Sequence, residues 1–191
     1  GYSVGPFHGI PYALKDIFHV KGKVTTCGSA AMLDNVAGNT STVVERLKAL
    51  GGIILGKTKT VECAFGGWGT NQKLGTPMNP WDLNAHRIPG GSSSGTAVAV
   101  AANMAPCGMG SDTGGSVRLP AAYCGLVGLK VTAGRLPLQG VMPLSQTLDT
   151  PGPIAQTVLD CLIMFDVLDG REGWQITRNM EKDDGAYAML N

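Results

Sequence analysis

The stretch from Gly90 to Pro120 constrains the chain most, because it sets two glycine-serine clusters at either end of one apolar connector. The clusters are Gly90-Gly91-Ser92-Ser93-Ser94-Gly95 and Asp112-Thr113-Gly114-Gly115-Ser116. Thr96 to Met104 between them is rich in alanine, has no Pro or Gly, and follows hydroxyl side chains suited to capping, so it reads as a buried helix. Pro106 ends that helix, and Cys107 to Ser111 can then run as a short strand that delivers Asp112 to Ser116 onto a tight turn. Glycines in such a turn let backbone N–H groups face a ligand at close range, since no Cβ blocks the approach.

Three readings compete for these serines. Gly-Ser clusters are most often flexible loop, but here the flanks are apolar and strongly patterned. Gly91 to Gly95 also matches the G-x-S-x-G nucleophile elbow with Ser93 as nucleophile, a motif that needs a histidine later in the chain. His8, His19 and His86 all precede it, so that form fails on order. A serine nucleophile therefore needs another base. Gly9-Ile10-Pro11-Tyr12-Ala13-Leu14-Lys15-Asp16 supplies a candidate, a lysine inside an apolar run. Taken alone, Lys15 would more often be a surface or snorkelling lysine.

Taken with Arg87-x-Pro89-Gly90-Gly91-Ser92-Ser93 and Gly114-Gly115-Ser116-Val117-Arg118-x-Pro120-Ala121, that run resembles the amidase signature family. The two serines of the resemblance stand 24 positions apart, and it covers roughly residues 5 to 155. It implies an α/β fold, with a mixed central β-sheet sandwiched between helices. It also implies an amidase that cleaves a carbon-nitrogen amide bond through an acyl-enzyme on Ser116, with Ser92 as proton relay and Lys15 as base. The family's relay serine follows a cis peptide, here Gly91–Ser92. The backbone N–H groups of Thr113, Gly114, Gly115 and Ser116 would form the oxyanion hole.

The chemistry is coherent. A serine hydroxyl must lose its proton as it attacks, and a second hydroxyl can accept and donate at once. Lys15 must then rest uncharged; an ordinary lysine titrates near ~10.4, and burial can lower that by ~3–5 pH units. Ile10, Leu14, Ile17 and Phe18 supply dry surroundings, and Asp16 should point away from Lys15 on a strand. Arg118 and Asp112 are expected to orient the turn. No cofactor or metal is called for, and the partner is a small-molecule amide substrate. Ser94 stands where the family usually has glycine, an exchange seen in members that act on carbamoyl-urea substrates such as allophanate. Family members are far longer, so the chain resembles a piece of such an enzyme, with a homodimer or association with the remainder left open. Alternatives are the glutaminase subunit of a tRNA-dependent amidotransferase and a non-catalytic scaffold binding anions at a helix N-terminus.

Composition fits an ordinary globular domain: 191 residues, 43% hydrophobic, net charge +1. That balance suggests neither nucleic acid nor an acidic membrane surface. The longest apolar run, Ala97 to Ala102, is far too short for a bilayer, and no basic-then-apolar leader opens the chain. Cysteines at 27, 63, 107, 124 and 161 are odd in number and form no C-x-x-C, which argues for reduced thiols and a cytoplasmic setting.

Along the rest of the chain, residues 10 to 20 read as strand-like. Asn39-Thr40-Ser41 caps a helix whose apolar face carries Val43, Val44, Leu47 and Leu50. Gly51 to Thr58 matches the P-loop string, but Ile53-Ile54-Leu55 reads as the strand itself, so a phosphate cradle is not expected there and Lys57 reads as a surface residue at the strand end. Phe65 and Trp68 sit in a loop that could shape a pocket, and His86 reads as a loop histidine. Gly125 to Thr132 is expected as a strand, Gly134 to Pro153 as loop, and Thr157 to Asp169 as a helix with a Thr157/Asp160 capping box. The core should span 1–170, with 171–191 a polar tail or the start of a further part.

Overall fold

A computed structural model describes residues 2–170; the expected polar segment 171–191 lies outside the described residues. In chain order the elements are β1 (Pro11–Lys15), α1 (Thr42–Ala49), β2 (Ile53–Thr58), α2 (Ser94–Ala101), β3 (Cys107–Asp112), α3 (Arg118–Tyr123), β4 (Val127–Gly128), β5 (Thr150–Ala155) and α4 (Val158–Asp169). One five-stranded sheet runs β2-β1-β3-β5-β4, with β1, β2 and β3 parallel and β5 antiparallel to both β3 and β4. The expected mixed α/β architecture is present.

Alternation along the strands sorts side chains between two helical layers. Tyr12 and Leu14 of β1, with Cys107 and Met109 of β3, join Val43, Val44 and Leu47 of α1 and Met164, Val167 and Leu168 of α4 in the larger core. On the other face, Ala13 packs with Ala99 of α2, and Ala97 meets Val117, Ala121 and Ile154. Lys15, two residues after Ala13, ends β1 next to β3, so the carboxyl ends of two parallel strands meet at one place. Ligand sites in α/β sheets characteristically form at such ends.

Close approach of α2 to β3 depends on residues without side chains. A Cβ at Gly108 would lie 2.4 Å from Thr96 Cγ2, and one at Gly110 would lie 2.7 Å from Ser93 Oγ. The start of α2 therefore rests directly on the strand that leads to Asp112.

Several expectations need correction. The segment Gly134 to Pro153 is not all loop, because Thr150–Ala155 is a fully buried strand next to β3. Pro151 and Pro153 argued against a strand, since proline cannot donate to a ladder. The carbonyl of Pro153 accepts from Leu129 N at 3.1 Å, so residues of this parity turn their backbone toward the short β4 and away from the β3 ladder. The prolines thus fall on the side where few bonds are made. Correspondingly, β4 covers only Val127–Gly128 rather than Gly125 to Thr132. Ser41 occupies the N-cap of α1 without a side-chain capping bond, while Thr157 caps α4 by accepting from Asp160 N as expected. Ile53–Thr58 is strand throughout, as the string-based argument against a phosphate loop required. Lys57 is not a surface residue: its side chain is 17% exposed and its Nζ lies 2.6 Å from Asp16 Oδ1. Phe65 and Trp68 are 79% and 66% exposed, and Phe65 borders an open cavity of about 480 Å³ with Glu62, Cys63 and Asn71, as expected of a pocket-shaping loop. His86 is exposed, as expected of a loop histidine. No described helix is long and apolar enough to cross a membrane.

Because Thr96 is itself fully buried, Gly108→Ala should lower stability by about 1–3 kcal/mol through overpacking. Urea unfolding measures this, and an unchanged midpoint would contradict the packing described.

Candidate active site

Lys15 is fully buried, and its Nζ donates to Ser92 Oγ at 2.7 Å and to Ser111 Oγ at 2.8 Å. Burial drives its pKa down to about 7, against the opposing pull of Asp112, Cys27 and Asp149. A lysine held this way is uncharged in a large share of molecules near neutrality.

Ser92 lies just before α2, and the Gly91–Ser92 peptide is cis. Its surroundings leave little freedom. A Cβ at Gly91 would lie 2.7 Å from Gly66 O and from Gly69 N, and Gly91 N donates to Gly67 O at 2.7 Å. The Ser92 carbonyl accepts from Thr60 Oγ1 at 2.8 Å and from Val61 N at 3.2 Å. The Ser92 hydroxyl is thereby left for Lys15.

Ser93, the nucleophile of the elbow reading, is fully buried, and its hydroxyl is shared between Ser111 N and Ser111 O at 3.3 Å each. It ties the start of α2 to the end of β3. Ser93 N also donates to Ser116 O at 3.1 Å, which brings the second glycine-serine cluster against the first. The Ser116 side chain is partly exposed, and its hydroxyl makes no hydrogen bond among the described residues. Lys15 and Ser92 are thus in direct contact, and Ser116 is docked beside them through its backbone.

Asp112 organises the turn that carries Ser116. Its carboxylate accepts from Gly115 N at 2.8 Å, Val117 N at 3.1 Å and Arg118 N at 3.3 Å, and pairs with Arg118 Nε at 3.1 Å. Burial pushes the Asp112 carboxyl up, but Arg118 and these amides outweigh it and hold the group below the usual carboxylate range. The orienting role expected of Asp112 and Arg118 is met. The same bonds correct the oxyanion-hole expectation: the Gly115 N–H is committed to Asp112. No hydrogen bond engages the N–H groups of Thr113, Gly114 and Ser116 among the described residues. Gly115 keeps a different role, since its φ of +130° suits glycine.

Two contributors escaped sequence reading. Ser111 is Lys15's second partner, and Asp149 accepts from Thr113 Oγ1, Leu144 N and Ser145 N. Position at the carboxyl end of β3 was a usable signal for Ser111, whereas Asp149 lay in a segment read as loop.

The start of α2 bears on two other expectations. Ser94 is fully buried and its hydroxyl faces Lys59 O at 3.5 Å, so it braces a neighbouring segment. At the start of α2, Ser93 N and Gly95 N are already bonded to Ser116 O and Lys59 O, which leaves a poor anion cradle. A cavity of about 520 Å³ lined by residues including Pro80, Trp81, Asn103 and Gln156 lies away from Lys15 and Ser92. Among the described residues no cluster of His, Cys, Asp or Glu could hold a metal.

Comparison with known proteins identifies the family. The chain is 46% identical over 164 residues to a glutamyl-tRNA(Gln) amidotransferase subunit from Chromohalobacter salexigens, covering 86% of this chain and 33% of that protein. It is 46% identical over 169 residues to 2-amino-5-chloromuconic acid deaminase of Comamonas testosteroni, covering 88% and 37%. Among solved structures, the native peptide amidase of Stenotrophomonas maltophilia matches with a TM-score of 0.82 at 38% identity, covering 88% of this chain and 35% of that one. The chain thus spans about a third of the length of the curated relatives it matches. The Amidase family profile matches residues 1–188, and with the two glycine-serine clusters and the buried lysine in place, this chain belongs to the amidase signature family.

Proposed function

We propose that the chain carries the catalytic centre of an amide hydrolase, with Ser116 as nucleophile, Ser92 as relay and Lys15 as base. The observation that carries this reading is the 2.7 Å contact between a fully buried Lys15 Nζ and Ser92 Oγ. As Ser116 Oγ bonds to the carbonyl carbon, its proton passes to Ser92, whose own proton passes to the lone pair of Lys15. The carbonyl oxygen becomes an oxyanion facing the N–H groups of Thr113, Gly114 and Ser116. Collapse of the tetrahedral intermediate breaks the C–N bond, and the amine leaves with a proton returned from Lys15 through Ser92. Water then repeats the sequence on the ester and frees Ser116. The Ser116 to Ser92 contact this requires forms as substrate binds, since catalytic hydrogen bonds are often loose without it.

A linear amide is the substrate class. Resemblance to the amidotransferase protein supports a second reading, in which the amide is glutamine and the ammonia is passed to a partner protein. Ammonia release from glutamine that rises when the other amidotransferase components are added would favour it. The free thiols among the described residues suit a reducing, cytoplasmic compartment. Residues 1–170 would form the unit that carries the site.

A fluorophosphonate should label the protein at Ser116, and Ser116→Ala should abolish labelling, as read by mass spectrometry of the digested protein. Labelling that persists in that variant would exclude Ser116 as nucleophile.

Only unprotonated Lys15 can accept, so the labelling rate should climb with pH through about 7 and level off above it. Lys15→Ala should reduce the rate about 10²–10⁴-fold and remove that inflection. A pH profile that Lys15→Ala leaves unchanged would take lysine out of the mechanism.

A further inference from the structure

The G-K-T string at the end of β2 has no part in the proposed chemistry, yet its lysine is half-buried and ion-paired with the residue that follows Lys15. Lys57 Nζ lies 2.6 Å from Asp16 Oδ1, donates to Thr25 Oγ1 at 2.7 Å and to Val24 O at 3.1 Å. Asp16 follows Lys15 directly in sequence. Its other carboxylate oxygen accepts from Thr26 N at 3.0 Å and from Thr26 Oγ1, and its carbonyl accepts from Cys27 N at 2.9 Å. Cys27 is buried, and it is one of the groups that act on Lys15.

The charges around Lys15 follow a pattern. From β3 comes Asp112, matched by Arg118 and three amides. From the segment before β5 comes Asp149, satisfied by Thr113, Leu144 N and Ser145 N. From the 24–28 loop comes Cys27, a thiol that burial pushes up to about 12 and so keeps neutral. Directly after β1, and next to Lys15 in the sequence, stands Asp16, whose counter-charge is Lys57, opposite Leu14 in the β1/β2 register. An unmatched anion at any of these places would stabilise the ammonium form of Lys15.

Resting on the catalytic reading above, we infer that Lys57 is a positioning residue which acts through Asp16: its charge cancels the carboxylate adjoining Lys15 and so keeps Lys15 a base. The pair also holds the 24–28 loop in place. That loop is tied onward to the relay serine, because Cys63 N donates to Cys27 O at 2.8 Å, Asn71 Nδ2 bridges Gly28 O and Thr60 O, and Thr60 Oγ1 holds Ser92 O. A cavity of about 180 Å³ runs beside the pair, bordered by Asp16, Thr26, Lys57, Lys59 and Thr60. Loss of the ion pair would admit water there.

The test is the pH dependence of fluorophosphonate labelling at Ser116 in the intact protein, with folding checked by circular dichroism. Lys57→Met leaves the Asp16 anion uncancelled, so the inflection should move up by about one pH unit and labelling at neutral pH should fall up to about tenfold. Asp16→Asn leaves the Lys57 cation instead, so the inflection should move down or stay. A purely structural role would change the labelled fraction or move both variants in the same direction, and either result overturns the inference. An unmoved inflection in folded Lys57→Met overturns it too. Should Lys57→Met not fold, Asp16→Asn decides alone: an upward shift overturns the inference, a downward shift or none supports it. If the unsubstituted protein shows no Ser116 labelling, or labelling without an inflection that Lys15→Ala removes, the base assignment falls and the role of Lys57 falls with it. If that control behaves and only the Lys57 variants fail, the catalytic reading stands.

Discussion

A lysine taken wholly out of water is the constraint around which the described structure is arranged. Burial costs an ammonium several kcal/mol, and this drives the Lys15 pKa down to about 7, where a large share of molecules carry a free amine near neutrality. In the proposed mechanism that same step makes the amine a base, provided that nearby anions are each answered by something else. Asp112 is answered by Arg118 and the turn amides, Asp16 by Lys57, and Asp149 by backbone N–H groups. Stability and the proposed reactivity thus rest on one electrostatic arrangement.

The sheet supplies position. Parallel β1 and β3 end together, so Lys15 and Ser111 meet without a long loop, and α2 can bring Ser92 to them only because Gly108 and Gly110 leave room on β3. Ser93 fixes that helix to the strand by bonding both backbone groups of Ser111. The turn carrying Ser116 is then set against the start of α2 by the bond from Ser93 N. Each serine in the run has its own neighbour: Ser92 faces the lysine, Ser93 the strand, and Ser94 the Lys59 segment.

Local chemistry was the readable part of the sequence. The glycine-serine clusters, the apolar connector and the lysine in its apolar run each announce themselves within a few residues, and β3 and α2 fall where propensity and punctuation put them. What escaped depends on partners distant in the chain. The first four residues of β5, Thr150 to Pro153, looked like loop because their prolines are tolerated only with the backbone parity that the fold gives them. Lys57 looked like a surface residue because its partner is 41 positions away, and Gly115 looked like an anion donor because Asp112's reach back to it is invisible in a string of letters. Ser111 was passed over as one more strand residue, although it holds the second bond to Lys15.

The most direct test is an NMR titration of the Lys15 side chain in protein carrying ¹³Cε-labelled lysine, with its signal assigned by its loss in Lys15→Ala. The account requires a midpoint near 7, where burial sets it. A midpoint near the ordinary ~10.4 of an exposed lysine would mean that the amine is charged under working conditions, and would contradict its role as base.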